Sequence, residues 1–287
     1  MRFERSIRMK KVRAAAVQMD SRDDKKLNLE KARDLIEKAV SQGAEIVGLP
    51  EYFNFVGPDE RKFEEAELIP GPTTDFLSSL AAKHHLWLQG GSITERVAGH
   101  KKLFNTTVFF NPKGEIIGRY RKIHLLEIAV KNGVELKESD TKEPGEEIVI
   151  CETDLGKVGL SICYDMRFPE VYRIMALNGA VIIFVSADFA LYTGKDHWEP
   201  ILRTRAIENQ CFLIAPAQIG IKPYVPPFPT YGRSMIIDPW GTVIAKAPDM
   251  ETCIVAELDM DYLETLRQQL PALKTRRPQT YRWPGGG

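Results

Sequence analysis

Short, almost wholly apolar runs alternate along this chain with stretches whose apolar residues recur at helical spacing, and that alternation leaves few ways to fold. A buried strand that passes into a helix and then into another buried strand builds a sheet with helices laid against it, so the chain reads as α/β. Ala14 to Met19 is the first such strand. Leu29, Ala32, Ile36, Ala39 and Val40 then share one helical face, and Gly43 stands where a left-handed cap ends that helix cheaply. Ile46 to Leu49 is a second buried strand, ending at Pro50 and Glu51.

Further on, Pro72 to Thr74 open a second helix carrying Phe76, Leu77 and Leu80. Leu86 to Ile93, Thr106 to Phe110 and Glu115 to Arg121 are predicted strands, the last two joined by the turn Asn111-Pro112-Lys113-Gly114. Later helices are expected over Glu170 to Leu177, His197 to Asn209 and Asp261 to Leu270, and Pro223 to Pro229 reads as a surface loop.

The chain also echoes itself. Gly43-Ala44 opens an apolar run ending in Glu51-Tyr52-Phe53, and Gly179-Ala180 opens another ending in Ala187-Asp188-Phe189. Phe109 to Gly114 likewise resembles Ile236 to Gly241. Two related α/β halves follow, and two sheets with helices on one side each can bury their bare faces together. That gives a four-layer αββα sandwich, with an ordinary doubly wound sheet as the alternative. One domain is expected over residues 1–287, with a flexible leader over 1–11 and a C-terminal helix and tail from about residue 260 onward.

With 44% hydrophobic and 27% charged residues, the composition is that of a globular protein. Lys plus Arg (39) and Asp plus Glu (39) cancel, which removes the long-range field that a nucleic-acid or membrane-surface partner would need. The basic N-terminal residues have no apolar run behind them, and no stretch reaches the ~18 apolar residues of a membrane span. A cytoplasmic protein with no nucleic-acid or membrane partner is expected. Cys151, Cys163, Cys211 and Cys253 lie far apart with no CxxC pair, and HExxH, GxGxxG and P-loop patterns are missing. No metal and no cofactor are implied.

Three places could carry chemistry. Val158 to Asp165 is a short apolar strand running into polar residues, with Arg167, Phe168 and Pro169 before a helical pattern. Cys163 there sits at a strand end beside a helix start, where ligands bind in open α/β sheets and where a thiolate or oxyanion is favoured. From placement alone a free Cys is more often a small core hydrophobe. Glu51 follows a buried strand, where a carboxylate is costly unless paired, hydrogen-bonded or functional, and a solvated loop acid is the equal alternative. Lys122, at the end of Glu115 to Arg121, reads by itself as a surface lysine. His124 and His197 could act as bases for Cys163, although lone histidines are more often structural.

Taken together, these elements resemble a known family. Leu49-Pro50-Glu51, Tyr120 to Leu125 and Ile162 to Glu170 look like the three catalytic blocks of the nitrilase, or carbon–nitrogen hydrolase, superfamily, in the right order. The similarity continues through Thr193-Gly194, His197-Trp198-Glu199, Arg203 to Asn209 and Asp238 to Gly241 as far as Arg276-Arg277-Pro278, which is nearly the whole chain. It is strongest to the Nit branch, which includes deaminated-glutathione amidases and ω-amidases.

The resemblance implies the αββα fold and hydrolysis of a small linear amide through a Cys163 thioester. It implies Glu51 as general base, with Lys122 and the Tyr164 backbone N–H meeting the oxyanion. Glu138 matches a second glutamate that orients substrate and lysine. Tyr52, Asp188, Phe189 and His197 are expected around the substrate, and a homodimer or larger homo-oligomer is expected through helices flanking the sheets. Ser186-Ala187-Asp188-Phe189 departs from a Pro-containing segment usual in relatives and puts an acid near the pocket. Asp188 would either repel a carboxylated substrate or pair with Arg or Lys. Nitrile or N-carbamoyl amino acid hydrolysis on the same triad is the alternative activity, and a non-catalytic scaffold is the alternative of a different class.

Overall fold

In the computed structural model, which describes residues 11–129, 135–222 and 227–282, the alternation becomes two sheets packed face to face between helices. The first half supplies β1 (Lys11–Met19), α1 (Lys25–Ser41), β2 (Ile46–Gly48), α2 (Asp59–Glu65), α3 (Pro72–His84), β3 (Trp87–Gln89), β4 (Ile93–Glu95), β5 (Phe104–Phe110) and β6 (Ile116–Arg121). A hairpin of β7 (Glu127–Ala129) and β8 (Glu135–Lys137) and the short β9 (Ile150–Cys151) follow. The second half supplies β10 (Lys157–Ile162), α4 (Pro169–Leu177), β11 (Ala180–Ser186), α5 (Leu191–Asn209), β12 (Phe212–Ala215), β13 (Ala217–Lys222), β14 (Phe228–Tyr231), β15 (Met235–Ile237) and β16 (Val243–Lys246). β17 (Thr252–Asp259) and α6 (Met260–Gln269) come last.

The two halves share one plan. β1, β2 and β3 are parallel neighbours, followed by antiparallel β5 and β6. β10, β11 and β12 are parallel neighbours, followed by antiparallel β15 and β16. Strand order and direction therefore repeat where the sequence echoes. β13 and β17 cross over to pair with β1 and tie the second half to the first sheet.

Period-2 geometry explains the layers. Val12, Ala14 and Ala16 of β1 join Leu160, Ile162, Ile182 and Phe184 in the core between the sheets. Ala15, Val17 and Met19 face the other way, onto Ala32, Ile36 and Ala39 of α1 and Leu77 of α3. Parallel strands covered on both faces must be apolar on both, which is why these runs show no alternation in sequence. The Asp24 side chain accepts the Leu27 N–H at 3.0 Å to start α1, and Gly43, at φ +83°, ends it.

The structure departs from the sequence expectations at several points. Leu86 to Ile93 is not one strand. It breaks at Gly91, whose φ is +60° and where a Cβ would stand 2.4 Å from Pro50 O. Ser92 then donates its N–H to Pro50 O and its hydroxyl receives the Tyr52 N–H, so the break braces the loop after Glu51. α5 begins at Leu191, not His197, and runs through Pro200. Close packing of Gly194 against Tyr231 outweighs the weak helix propensity of that first stretch. α2 has no counterpart in the expectations. The leader expected over 1–11 lies outside the described residues except Lys11, which is already in β1. Of the loop expected over Pro223 to Pro229, residues 223–226 lie outside the described residues, while Phe228 and Pro229 belong to β14.

The sheets meet closely at Gly48, where a Cβ would fall 2.6 Å from the Phe184 ring. Gly48→Ala should therefore push β2 and β11 apart and cost about 1–3 kcal/mol of stability. Urea denaturation reads this directly, and an unchanged midpoint would show that the sheets yield there without cost.

Candidate active site

β2 ends inside the molecule and delivers Leu49, Pro50 and Glu51 to the carboxyl edge of its sheet. Glu51 is 2% exposed. Its backbone is fixed from the second half, since Ser186 Oγ donates to Leu49 O at 2.7 Å and Gln218 Nε2 donates to Glu51 O at 3.0 Å. Its carboxylate accepts the Asp188 N–H on Oε2 at 2.7 Å and Asn105 Nδ2 on Oε1 at 2.8 Å.

Lys122 follows β6 and is as buried as Glu51. Its ammonium donates to Glu51 Oε1 at 3.0 Å and to Glu138 Oε2 at 2.8 Å. Glu138 also receives the Tyr52 hydroxyl at 2.7 Å, the Leu126 N–H at 2.9 Å and Asn105 Nδ2 at 3.1 Å. Asn105 thus bridges the two acids on one side while Lys122 bridges them on the other.

Cys163 opens the turn after β10 and takes a left-handed backbone, φ +46°, which costs a non-glycine residue about 1–2 kcal/mol. The thiol is buried and lies within the electrostatic reach of both Glu51 and Lys122. Asp165, fully buried two residues later, accepts the Ile162 N–H at 2.9 Å and closes the turn.

Electrostatics sets the protonation states of the thiol, the ammonium and Glu138. Burial, and then the Glu51 charge, push the Cys163 thiol well above its usual range against the pull of Lys122, so the resting sulfur is neutral. Burial works against the Lys122 ammonium, but Glu138 and Glu51 outweigh it and raise its pKa well above normal. Lys122 therefore stays charged and serves as a donor, not a base. Burial also works against ionised Glu138, yet Lys122 and its hydrogen bonds bring it down to about 2. The arrangement holds a protonated nucleophile against a carboxylate able to take its proton, with a permanent cation alongside. That is the equipment for acyl transfer.

The structure brings Glu51, Lys122, Cys163, Glu138 and Tyr52 into one cluster, and Asp188 joins it through its backbone. Phe189 is buried against Trp198, ring centroids 5.2 Å apart. Tyr164, half-buried, sits under the Arg167 guanidinium, which lies 5.7 Å from its ring and 5.4 Å from that of Phe189. His197 is exposed, with Nδ1 3.4 Å from Arg167 Nη1, and stands apart from the cluster. His124 points its Nδ1 at Asp165, 2.9 Å away, and stacks its ring on Phe168. Asn105, Asp165 and Gln218 were not among the expected site residues. A lone Asn in the otherwise apolar and Thr-rich run of β5 is the signal that could have found the first.

Comparison with known proteins agrees with this chemistry. The chain matches the carbon-nitrogen hydrolase family over residues 13–268. It is 44% identical over 271 residues to a deaminated glutathione amidase of Synechocystis sp., covering 93% of this chain and 99% of that protein. It is 41% identical over 277 residues to the omega-amidase NIT2 of Danio rerio, covering 95% and 97%. Among solved structures, Saccharomyces cerevisiae Nit3, described as a member of branch 10 of the nitrilase superfamily, superposes with a TM-score of 0.83 at 33% identity, covering 94% of this chain and 97% of that one.

Glu138 ionises at about 2 in the folded chain against 4.5 in the open, so its pairing with Lys122 stabilises the fold fully above pH 4.5 and fades as pH falls toward 2. Lys122→Met should accordingly cost about 3–5 kcal/mol at pH 7. The gap to the parent should narrow between pH 4.5 and 2 in denaturation series. A gap independent of pH would mean that the pair is not what Lys122 stabilises.

Proposed function

The chain belongs to the carbon–nitrogen hydrolase family and is an amidase, and from that premise we propose that Cys163, Glu51 and Lys122 hydrolyse a small linear amide through a thioester. The observation that carries this reading is the single buried cluster in which the Glu51 charge acts on the buried thiol while its carboxylate accepts the Lys122 ammonium at 3.0 Å. Glu51 takes the thiol proton as sulfur attacks the carbonyl carbon. The C=O pair moves onto oxygen, where the Lys122 ammonium and the Tyr164 N–H meet it. Protonated Glu51 then gives its proton to nitrogen, the C–N bond breaks and ammonia leaves. Water, deprotonated by Glu51, attacks the thioester; the carboxylic acid departs and the thiol is restored.

Glu138 has a supporting part. Locked by Lys122, Tyr52 and the Leu126 N–H, it aims the ammonium, while Asn105 bridges the two carboxylates. Tyr52, Tyr164 and Phe189 supply walls. Nitrile and N-carbamoyl substrates would use the same three groups, so a substrate panel decides the leaving group.

The four described cysteines are free, which suits a reducing cytoplasm. No helix among the described residues is long and apolar enough to cross a membrane. Ile174 and Leu177 on α4 and Tyr192 and Ile207 on α5 are exposed, and a homodimer through that helical layer would cover them.

Mass spectrometry after incubation with ω-amides, deaminated glutathione, carbamoyl amino acids and nitriles should find an acyl adduct on Cys163. Glu51→Gln should lower turnover on the order of a thousand-fold or more. An adduct on another cysteine, or near-normal turnover in that variant, overturns the assignment.

Asp188 shapes selectivity. Its N–H is bound to Glu51, and its charge acts on fully buried Lys222, whose ammonium is held by Asp20 at 3.1 Å and Gln218 at 2.7 Å. An acid this close to the reacting groups disfavours an amide carrying a nearby carboxylate. Asp188→Asn should raise kcat/KM for carboxylated amides about tenfold relative to neutral ones of equal length, roughly 1.4 kcal/mol. An unchanged ratio would show that Asp188 does not sense the substrate.

A further inference from the structure

Lys122 and Cys163 come from different halves of the molecule, yet the segments that carry them are joined at one carboxylate. Asp165 is fully buried and accepts four hydrogen bonds. Tyr120, two residues before Lys122, donates its hydroxyl to Oδ2 at 2.6 Å. His124, two residues after Lys122, donates its backbone N–H to Oδ1 at 3.1 Å and holds Nδ1 2.9 Å from the same oxygen. Ile162, the residue before Cys163, donates its N–H to Oδ2 at 2.9 Å. The lysine and the sulfur are thus each bracketed by groups that converge on Asp165.

Its surroundings keep the clamp in place. The His124 ring stacks on Phe168 with centroids 3.6 Å apart and planes within 8°, which fixes the ring edge toward the acid. The Tyr120 hydroxyl also accepts the Ile123 N–H at 3.3 Å, which bends the chain just beyond Lys122. Opposite, Gly145 N–H donates to Lys122 O at 2.8 Å, and a Cβ on Gly145 would stand 2.2 Å from Arg121 O. Lys122 is held from both flanks.

We propose that Asp165 is a positioning residue that sets the distance between the Lys122 ammonium and the Cys163 sulfur, and so determines how well the oxyanion is met. It touches neither substrate nor reacting atom. This rests on the reading of Cys163 as nucleophile and Lys122 as oxyanion partner. A carboxylate offers acceptors to all four donors at once. An amide in its place turns its NH₂ toward two of them, so the two segments separate while the cluster of Glu51, Lys122 and Glu138 keeps its own contacts. A shift of about 1 Å at such a site costs on the order of a hundred-fold in rate.

The test uses the full chain with Asp165→Asn, and Tyr120→Phe and His124→Gln as variants that each remove one arm. Steady-state kinetics on the best amide, the rate of Cys163 alkylation by iodoacetamide and thermal unfolding are measured together. For Asp165→Asn the expected result is kcat lowered about 100-fold with KM within about threefold, while alkylation stays within about threefold of the parent because the burial of the sulfur and its Glu51 neighbour are unchanged. The single-arm variants should lose about three- to tenfold in kcat and keep the parent's unfolding temperature within a few degrees. Losses of kcat that merely follow the folded fraction, or single-arm variants with parental kcat, overturn the proposal. A parent chain that hydrolyses no amide and forms no adduct on Cys163 would instead sink the reading beneath it.

Discussion

A buried ammonium between two carboxylates organises this molecule. Lys122 is 2% exposed, and an isolated charge at that depth would be prohibitive. Glu51 and Glu138 offset the cost, and in doing so they must come from two loops far apart in the chain to one point. The loop after β2 cannot wander without leaving the lysine unpaired, and neither can the turn carrying Glu138. The same contact keeps the lysine charged, so one interaction both holds the loops and fixes a permanent cation in the cluster.

The second sheet supplies the sulfur under a different constraint. Cys163 and Tyr52 both adopt left-handed backbones, φ +46° and +52°, each just past the end of a parallel strand. Neither is glycine, so each conformation is held from outside: Tyr52 by Ser92, the Cys163 turn by Asp165. Sharp turns at strand ends let side chains point across the gap between the sheets, where regular backbone would carry them past it.

Much of this was legible in the sequence, and what was not has a physical reason. Buried parallel strands announce themselves as continuous apolar runs, and the echo between Gly43 to Phe53 and Gly179 to Phe189 does mark equivalent strands. Glu51 could be suspected because Pro50 interrupts pairing beside an acid. Asn105, Asp165 and Gln218 escaped because their work consists of hydrogen bonds between segments far apart in sequence, and no local period records a partner 54 or 167 residues away. The early start of α5 was hidden for a similar reason: Gly194 argues locally against helix, while Tyr231 argues for it only once the fold has formed. His197 shows the reverse error, a chemically capable side chain that the helix turns toward solvent.

The repeated plan of three parallel strands and a hairpin carries one more consequence. In the proposed mechanism the base and the ammonium ride on the first copy and the thiol on the second, so that no single copy contains the means to attack a carbonyl. Activity in this scaffold is then a property of the docked pair, and turnover doubles as a reporter of whether the two sheets are in register.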